Sequence, residues 1–281
     1  MMNQTVFEQF KAYYREMESY SYAAQKIHWD LETCAPEKAA KKAIENYTFF
    51  RTKVFQMSTA PEYAAMLEKL NSPGLYETLD EAWQYTVRRR KQTYDNFIRI
   101  PPEFYAKTVK DRAEAGRVWQ EAKRTNNYSL FAPYLKREIE NAKEKAAYTN
   151  PGEDAYNVLI SEGEPGMTCE IIDKVFNEVR EGLKTLLPKI LSCEEPDNSL
   201  FVKKYDPDHV RAACRFLLEY IGFDFKAGSM AEVEHPLTAG FGRNDVRVSN
   251  HYYDDTAIDP MFSIIHEGGH GLFNQGVDEK Y

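Results

Sequence analysis

The sequence lacks any run of about eighteen apolar residues, so it offers no candidate membrane-spanning helix. Its first residues, Met1 to Glu8, hold no charged segment followed by an apolar one. A secretory leader is therefore not expected, and a cytoplasmic location is. Cysteine is scarce. Cys34, Cys169, Cys193 and Cys214 are widely spaced and fit no zinc-ligand spacing, which excludes a disulfide framework and predicts reduced, mostly buried thiols. Positive charge is not in excess either: 36 lysines and arginines against 44 acids leave a net charge of -8. That balance argues against nucleic acid or an anionic membrane as principal partner, and the short run Arg88-Arg89-Arg90-Lys91 reads as a solvated helix face. No repeat or low-complexity tract is visible. What is present is an ordinary globular composition, 43% hydrophobic and 28% charged over 281 residues. Such a chain can bury a substantial core, as one large domain or two smaller ones.

Helical periodicity dominates the first two-thirds. Phe7, Phe10, Tyr14 and Met17 recur at three- and four-residue spacings and predict a long amphipathic helix from Asn3 to about Thr33. Pro36 can open a second, and further helices are expected at about 61–71, 79–97, 102–125 and 129–147, with Pro61, Pro101 and Pro102 as starts and breaks. Their connections are short, which favours antiparallel neighbours. Thr149 to Asp154 reads as a turn and Glu162 to Met167 as a loop leading to Thr168, the N-cap of a helix reaching about Leu191. Glu194 to Asn198 is the expected internal boundary, too short for a flexible linker. Asp206-Pro207 caps a helix that stops at Gly222.

Between 223 and 256 the helical period disappears. Val246-Arg247-Val248-Ser249 alternates apolar and polar, and glycines 228, 240 and 242 punctuate the region, so a small strand or hairpin is expected. An edge there would be able to bind a peptide backbone by strand addition, or simply cover the core. Both readings stay open.

The chemistry lies in His266-Glu267-Gly268-Gly269-His270. At about 3.6 residues per turn the two histidines fall one turn apart on one helical face, where both imidazoles can reach a single metal ion. Glu267 can then take a proton from a water at that ion without itself being a ligand. Asp259 and Pro260 predict an N-cap and first-turn proline, Met261, Ile264, Ile265, Leu272 and Phe273 a buried stripe, and Gly276 a stop. Gly268, Gly269 and Gly271 oppose the helix by up to about 1 kcal/mol each, so metal ligation or tight backbone packing must compensate. A catalytic zinc usually takes three protein ligands. The metzincin pattern is excluded because Phe273 and Gly276 occupy its glycine and third-histidine positions. Asp278 and Glu279 are the only carboxylates among the eleven residues after His270, and Asp254 and Asp255 precede the helix. All four are weak candidates for a third ligand, more simply read as solvated terminal residues or, before the helix, as serving its N-terminus. His28, His209 and His251 read as structural, His28 as a packed helix position beside Trp29.

Taken together, these marks resemble the carboxypeptidase Taq family of metallocarboxypeptidases. His235-Pro236-Leu237 resembles its His-Pro-Phe motif with leucine for phenylalanine. Asp245-Val246-Arg247-Val248-Ser249 resembles its Asp-x-Arg-x-Thr motif with serine for threonine. His266 to His270 is similar to its zinc motif, continued by Gly271 to Gly276. His28 to Pro36 and Glu164 to Thr168 match two further stretches, all in family order. The resemblance implies a mainly α, zincin-like helical peptidase fold with a deep groove and a small β element before the metal helix. It implies a homodimer that releases C-terminal residues from peptide substrates with zinc, cobalt or manganese being alternatives. It places His266 and His270 as metal ligands, Glu267 as general base, and His235 and Arg247 beside the substrate, His235 as a hydrogen-bond donor and Arg247 facing a carboxylate. Taken alone, a His-Pro pair is as well a structural turn, and a strand arginine a surface or ion-pair residue.

In that family the glutamate ligand and the groups holding the substrate carboxylate fall at positions beyond Tyr281. Residues 1–281 are accordingly expected to be the N-terminal portion of one peptidase domain, with a helical scaffold at 1–195 and the start of the catalytic region at 196–281. Three functions follow: a metallocarboxypeptidase portion with weak metal binding and little activity alone; an oligopeptidase or endopeptidase using Glu279 or an upstream acid; and a non-catalytic helical scaffold.

Overall fold

The computed structural model describes residues 5–199, 203–253 and 255–278. Ten helices and three strands are found among them: α1 (Val6–Thr33), α2 (Ala40–Ser58), α3 (Pro61–Leu70), α4 (Glu81–Phe97), α5 (Pro102–Arg124), α6 (Tyr128–Thr149), α7 (Ala155–Gly163), α8 (Cys169–Leu191), α9 (Pro207–Tyr220), β1 (Gly228–Glu232), β2 (Thr238–Gly240), β3 (Val246–Asn250) and α10 (Ile258–Gln275). The fold is mainly helical, as the periodicity requires. No helix among the described residues is long and apolar enough to cross a membrane.

Punctuation residues set the ends. Pro61, Pro102 and Pro207 each occupy a first helical turn, where their missing N–H costs nothing. The Thr168 hydroxyl accepts from Ile171 N, and the Asp206 carboxylate from Asp208 N. Pro36 opens only a short 3-10 turn, Glu37–Ala39, before α2 begins at Ala40. Helix α7 has no counterpart in the periodicity reading. Its nine residues are too few to establish a period, and the Asp154 carboxylate, accepting from Tyr156 N and Asn157 N, is what starts it.

The chain divides into two compact units: Met1–Tyr20 with Thr48–Glu195, and Ser21–Tyr47 with Pro196–Tyr281. In the first, Phe10, Met17, Met57, Tyr63, Leu67, Leu70, Leu79 and Val87 form a core, with Phe55, Ile100 and Phe104 in a second cluster. Helix α5 packs along α6, and between them Asp111 is buried. Burial opposes its ionisation, but bonds from Asn141 and Lys107 and the charge of Arg137 outweigh that and hold the carboxyl below its usual range. The basic run on α4 is only partly a solvated face. Arg88 and Arg89 are exposed, whereas Arg90 turns inward to the Tyr14 hydroxyl and, at 3.1 Å, to Glu18. Helix α8 buries none of its side chains.

The second unit holds a three-stranded sheet in the order β1-β3-β2, with β1 parallel and β2 antiparallel to β3. The 246–249 strand is therefore central, not an edge. Both its sides are occupied, so strand addition at this segment is ruled out. Val246 and Val248 are fully buried and join Val210, Cys214 and Leu218 of α9, Phe223, Ala257 and Ile264 of α10 in one core. The cysteines are all free, but only Cys214 is buried; Cys34 and Cys193 are exposed because each lies just past a helix end, and Cys169 is half-buried. His28 is likewise exposed, 5.6 Å from the Tyr47 ring, and it is Trp29 that packs inward.

Candidate metal centre

Helix α10 carries the histidine motif, and its glycines explain how. Pro260, Ile264, Glu267, Gly268 and Gly271 are buried along one face. A Cβ on Gly268 would lie 2.6 Å from Ile221 Cδ1 and 2.8 Å from Leu218 Cδ2, and one on Gly271 would lie 2.7 Å from the Phe223 ring and 3.2 Å from Val248 Cγ1. Hydrogen in place of a methyl thus lets the helix sink onto α9 and the sheet. The lost propensity is offset by close packing. Gly269 faces the other way and would meet nothing within 4 Å.

Two details differ from expectation. The helix begins at Ile258 after Ala257, with no side-chain cap. Asp259 lies in its first turn, where a carboxylate still favours the N-terminus, and Pro260 is buried with its carbonyl accepting from Asn250 Nδ2 at 2.9 Å. The expected apolar stripe is also narrower. Ile264 is fully buried, Met261 and Leu272 are half-buried, and Ile265 and Phe273 are exposed, because the glycine row occupies the side that faces the core.

His266 and His270 stand on the exposed side, their ring centroids 4.9 Å apart and their planes at 86°. Neither imidazole has a hydrogen-bond or ion-pair partner among the described residues. Two adjacent unengaged nitrogen donors suit a borderline divalent cation such as zinc. The donor set is incomplete, however: no group of three His, Cys, Asp or Glu among the described residues is arranged to hold a metal. Asp255 and Asp278 are exposed and join no such group, while Asp254 and Glu279 lie outside the described residues.

Glu267, next in the chain, is turned inward and 7% exposed. The Thr238 hydroxyl lies 2.6 Å from its Oε2 and 3.0 Å from its main-chain oxygen. Thr238 was not singled out by the sequence. Its only signal is its place directly after His235-Pro236-Leu237, at the start of a strand too short to show alternation.

His235 is exposed on the connection between β1 and β2. Arg247 donates to both Asp245 oxygens, Nε to Oδ1 at 2.8 Å and a terminal nitrogen to Oδ2 at 3.1 Å, and lies 5.1 Å from the Phe241 ring centroid. Lys26 of α1 bonds the same carboxylate and lies 3.8 Å from the Phe241 centroid. The Arg247 bonds, with smaller help from Lys26 and against the effect of burial, hold the Asp245 carboxyl below the usual range. His251 is structural, its Nδ1 2.8 Å from the Val233 oxygen.

A family model described as carboxypeptidase Taq (M32) metallopeptidase matches residues 9–281. Carboxypeptidase 1 of Bacillus subtilis is 29% identical over 266 residues, 94% of this chain and 53% of its own length. Thermostable carboxypeptidase 1 of Thermus thermophilus is 31% identical over 264 residues, 90% of this chain and 52% of its own. The solved structure titled BsuCP Crystal Structure matches with a TM-score of 0.94 at 28% identity, covering 99% of this chain and 56% of that one. The chain spans about half the length of the curated relatives it matches.

Proposed function

The chain belongs to the carboxypeptidase Taq (M32) metallopeptidase family, and on that premise we propose that it carries two metal ligands and the general base of a metallocarboxypeptidase that releases C-terminal amino acids from peptides. His266 and His270 would hold a divalent ion, zinc first, with cobalt or manganese as alternatives. When bound, such an ion supplies Lewis-acid polarisation of the scissile carbonyl and of water. Glu267 is the base: with Oε2 engaged by Thr238, its Oε1 is left to take the proton of the attacking water and pass it to the leaving amine. His235 stands on the substrate side as a hydrogen-bond donor. Arg247 offers a substrate carboxylate only those N–H groups that Asp245 leaves free. We place the activity in the cytoplasm, in a homodimer, on peptide substrates.

The observation that carries this reading is the pair of unengaged imidazoles 4.9 Å apart, with the buried, hydrogen-bonded Glu267 next in the chain to His266. Calorimetric titration with zinc tests it. A single weak site, weak because the described residues supply two donors, should disappear in His266→Ala and in His270→Ala. Binding that survives both substitutions would contradict it.

A further inference from the structure

Glu267 has its carboxylate fixed from beneath the helix. The grip does not begin at Thr238. Thr238 opens β2, and the residue before it, Leu237, has both main-chain polar groups engaged by one residue of the central strand. Leu237 N donates to Ser249 Oγ at 2.9 Å, Ser249 Oγ donates to the Leu237 oxygen at 2.8 Å, and Ser249 N donates to that same oxygen at 2.9 Å. Ser249 is fully buried, so these bonds have no competing water, and a hydroxyl in their place has both its donor and acceptor capacity used. One residue later, the Thr238 hydroxyl reaches Glu267 Oε2 at 2.6 Å, the short distance of a bond to a carboxylate.

We propose that Thr238 is a positioning residue for Glu267 and that Ser249 supports it. Leu237 and Ser249 then act on the base from below, through the strand that carries Thr238. A glutamate side chain has several freely rotating bonds, and burial alone does not select among its rotamers. A hydroxyl held on a strand does, by fixing one carboxylate oxygen so that the other keeps a constant direction. The sheet register gives the hydroxyl its aim: Thr238 is paired with Val248, whose side chain lies in the core beneath α10, so Thr238 and Val248 share the sheet face on which Glu267 lies. This inference rests on the reading of Glu267 as general base.

The experiment uses the whole chain and three variants: Thr238→Val, equal in shape without the hydroxyl; Thr238→Ser, which keeps it; and Ser249→Ala, which touches neither Thr238 nor Glu267 by side chain. Crystal structures with zinc are compared, together with zinc affinity and the release of C-terminal residues from a blocked dipeptide. In Thr238→Val the Glu267 carboxylate should leave its wild-type rotamer while zinc affinity is unchanged. Thr238→Ser should restore the rotamer, and Ser249→Ala should shift Thr238 and Glu267 together. Turnover should show kcat lowered by about ten- to a hundredfold in Thr238→Val at unchanged KM, the size usual for groups that orient a metal site from outside its ligands. A Glu267 carboxylate that keeps its rotamer in Thr238→Val, or one that moves equally in Thr238→Ser, overturns the proposal whatever the turnover. Absence of zinc at the two histidines in the wild-type crystal would instead remove the metal-centre reading, and Glu267's position would still report on Thr238.

Discussion

Helices α8 and α10 invert what their sequences suggest. Over 23 residues α8 presents Val175, Phe176, Val179, Leu183, Leu186 and Ile190 at the spacing of a core-facing stripe, yet all of these are exposed. Over 18 residues α10 has three glycines in its interior, yet it buries Ile264, Glu267, Gly268 and Gly271. Apolar periodicity reports which face gains by burial and says nothing about whether a partner is present. Glycine spacing reports how closely a partner approaches. On α10 the second signal governs, because removing side chains from one face lets backbone meet side chain directly.

Stability measurements sharpen this contrast, starting with the largest effect. Ile264→Ala removes a fully buried side chain from the core beneath α10, and chemical denaturation should show a loss of about 2–5 kcal/mol. Gly271→Ala places a methyl 2.7 Å from the buried Phe223 ring and should cost about 1–3 kcal/mol. Gly269→Ala, with nothing within 4 Å, should stabilise by up to about 1 kcal/mol through helix propensity. Leu183→Ala on α8, at 55% exposure, should stay within about 0.5 kcal/mol. A Leu183→Ala loss as large as that of Ile264→Ala would break the contrast.

The smallest effect concerns polar contacts rather than packing. Asp245 holds Arg247 and Lys26 next to the hairpin, and its carboxyl titrates below the usual range. A folded value under the unfolded one, about 3.9, means that the stabilisation is present above that pH and is lost as pH falls through the folded value. Asp245→Asn should therefore be slightly less stable than wild type at neutral pH, by little because the group is part-exposed, and the two acid-unfolding curves should converge as the wild-type carboxyl protonates. A gap constant across the acid range would contradict the assignment.

How much of this was legible beforehand depends on the kind of signal. Helix starts at Pro61, Pro102 and Pro207 and caps at Thr168 and Asp206 follow from local chemistry that acts within one turn, and the structure has them where the residues put them. The histidine pair was legible for the same reason, since its geometry is internal to one helix. What required contacts between distant segments was not. The central place of β3 depends on β1, which carries no alternation of its own. The ion pair of Arg247 with Asp245 is local, two residues apart, but its extension to Lys26 depends on a helix more than two hundred residues earlier. Thr238 is an unremarkable residue until α10 is laid over it.

In the proposed metal centre, His266 and His270 share one divalent ion on the exposed side of α10. Anomalous diffraction at the zinc edge from crystals grown with zinc addresses it directly. A single peak is expected within coordination distance of a ring nitrogen of each histidine, about 2.0–2.1 Å, and no such peak in crystals of His270→Ala. Rings that carry no peak, or zinc found only at other residues, would contradict it.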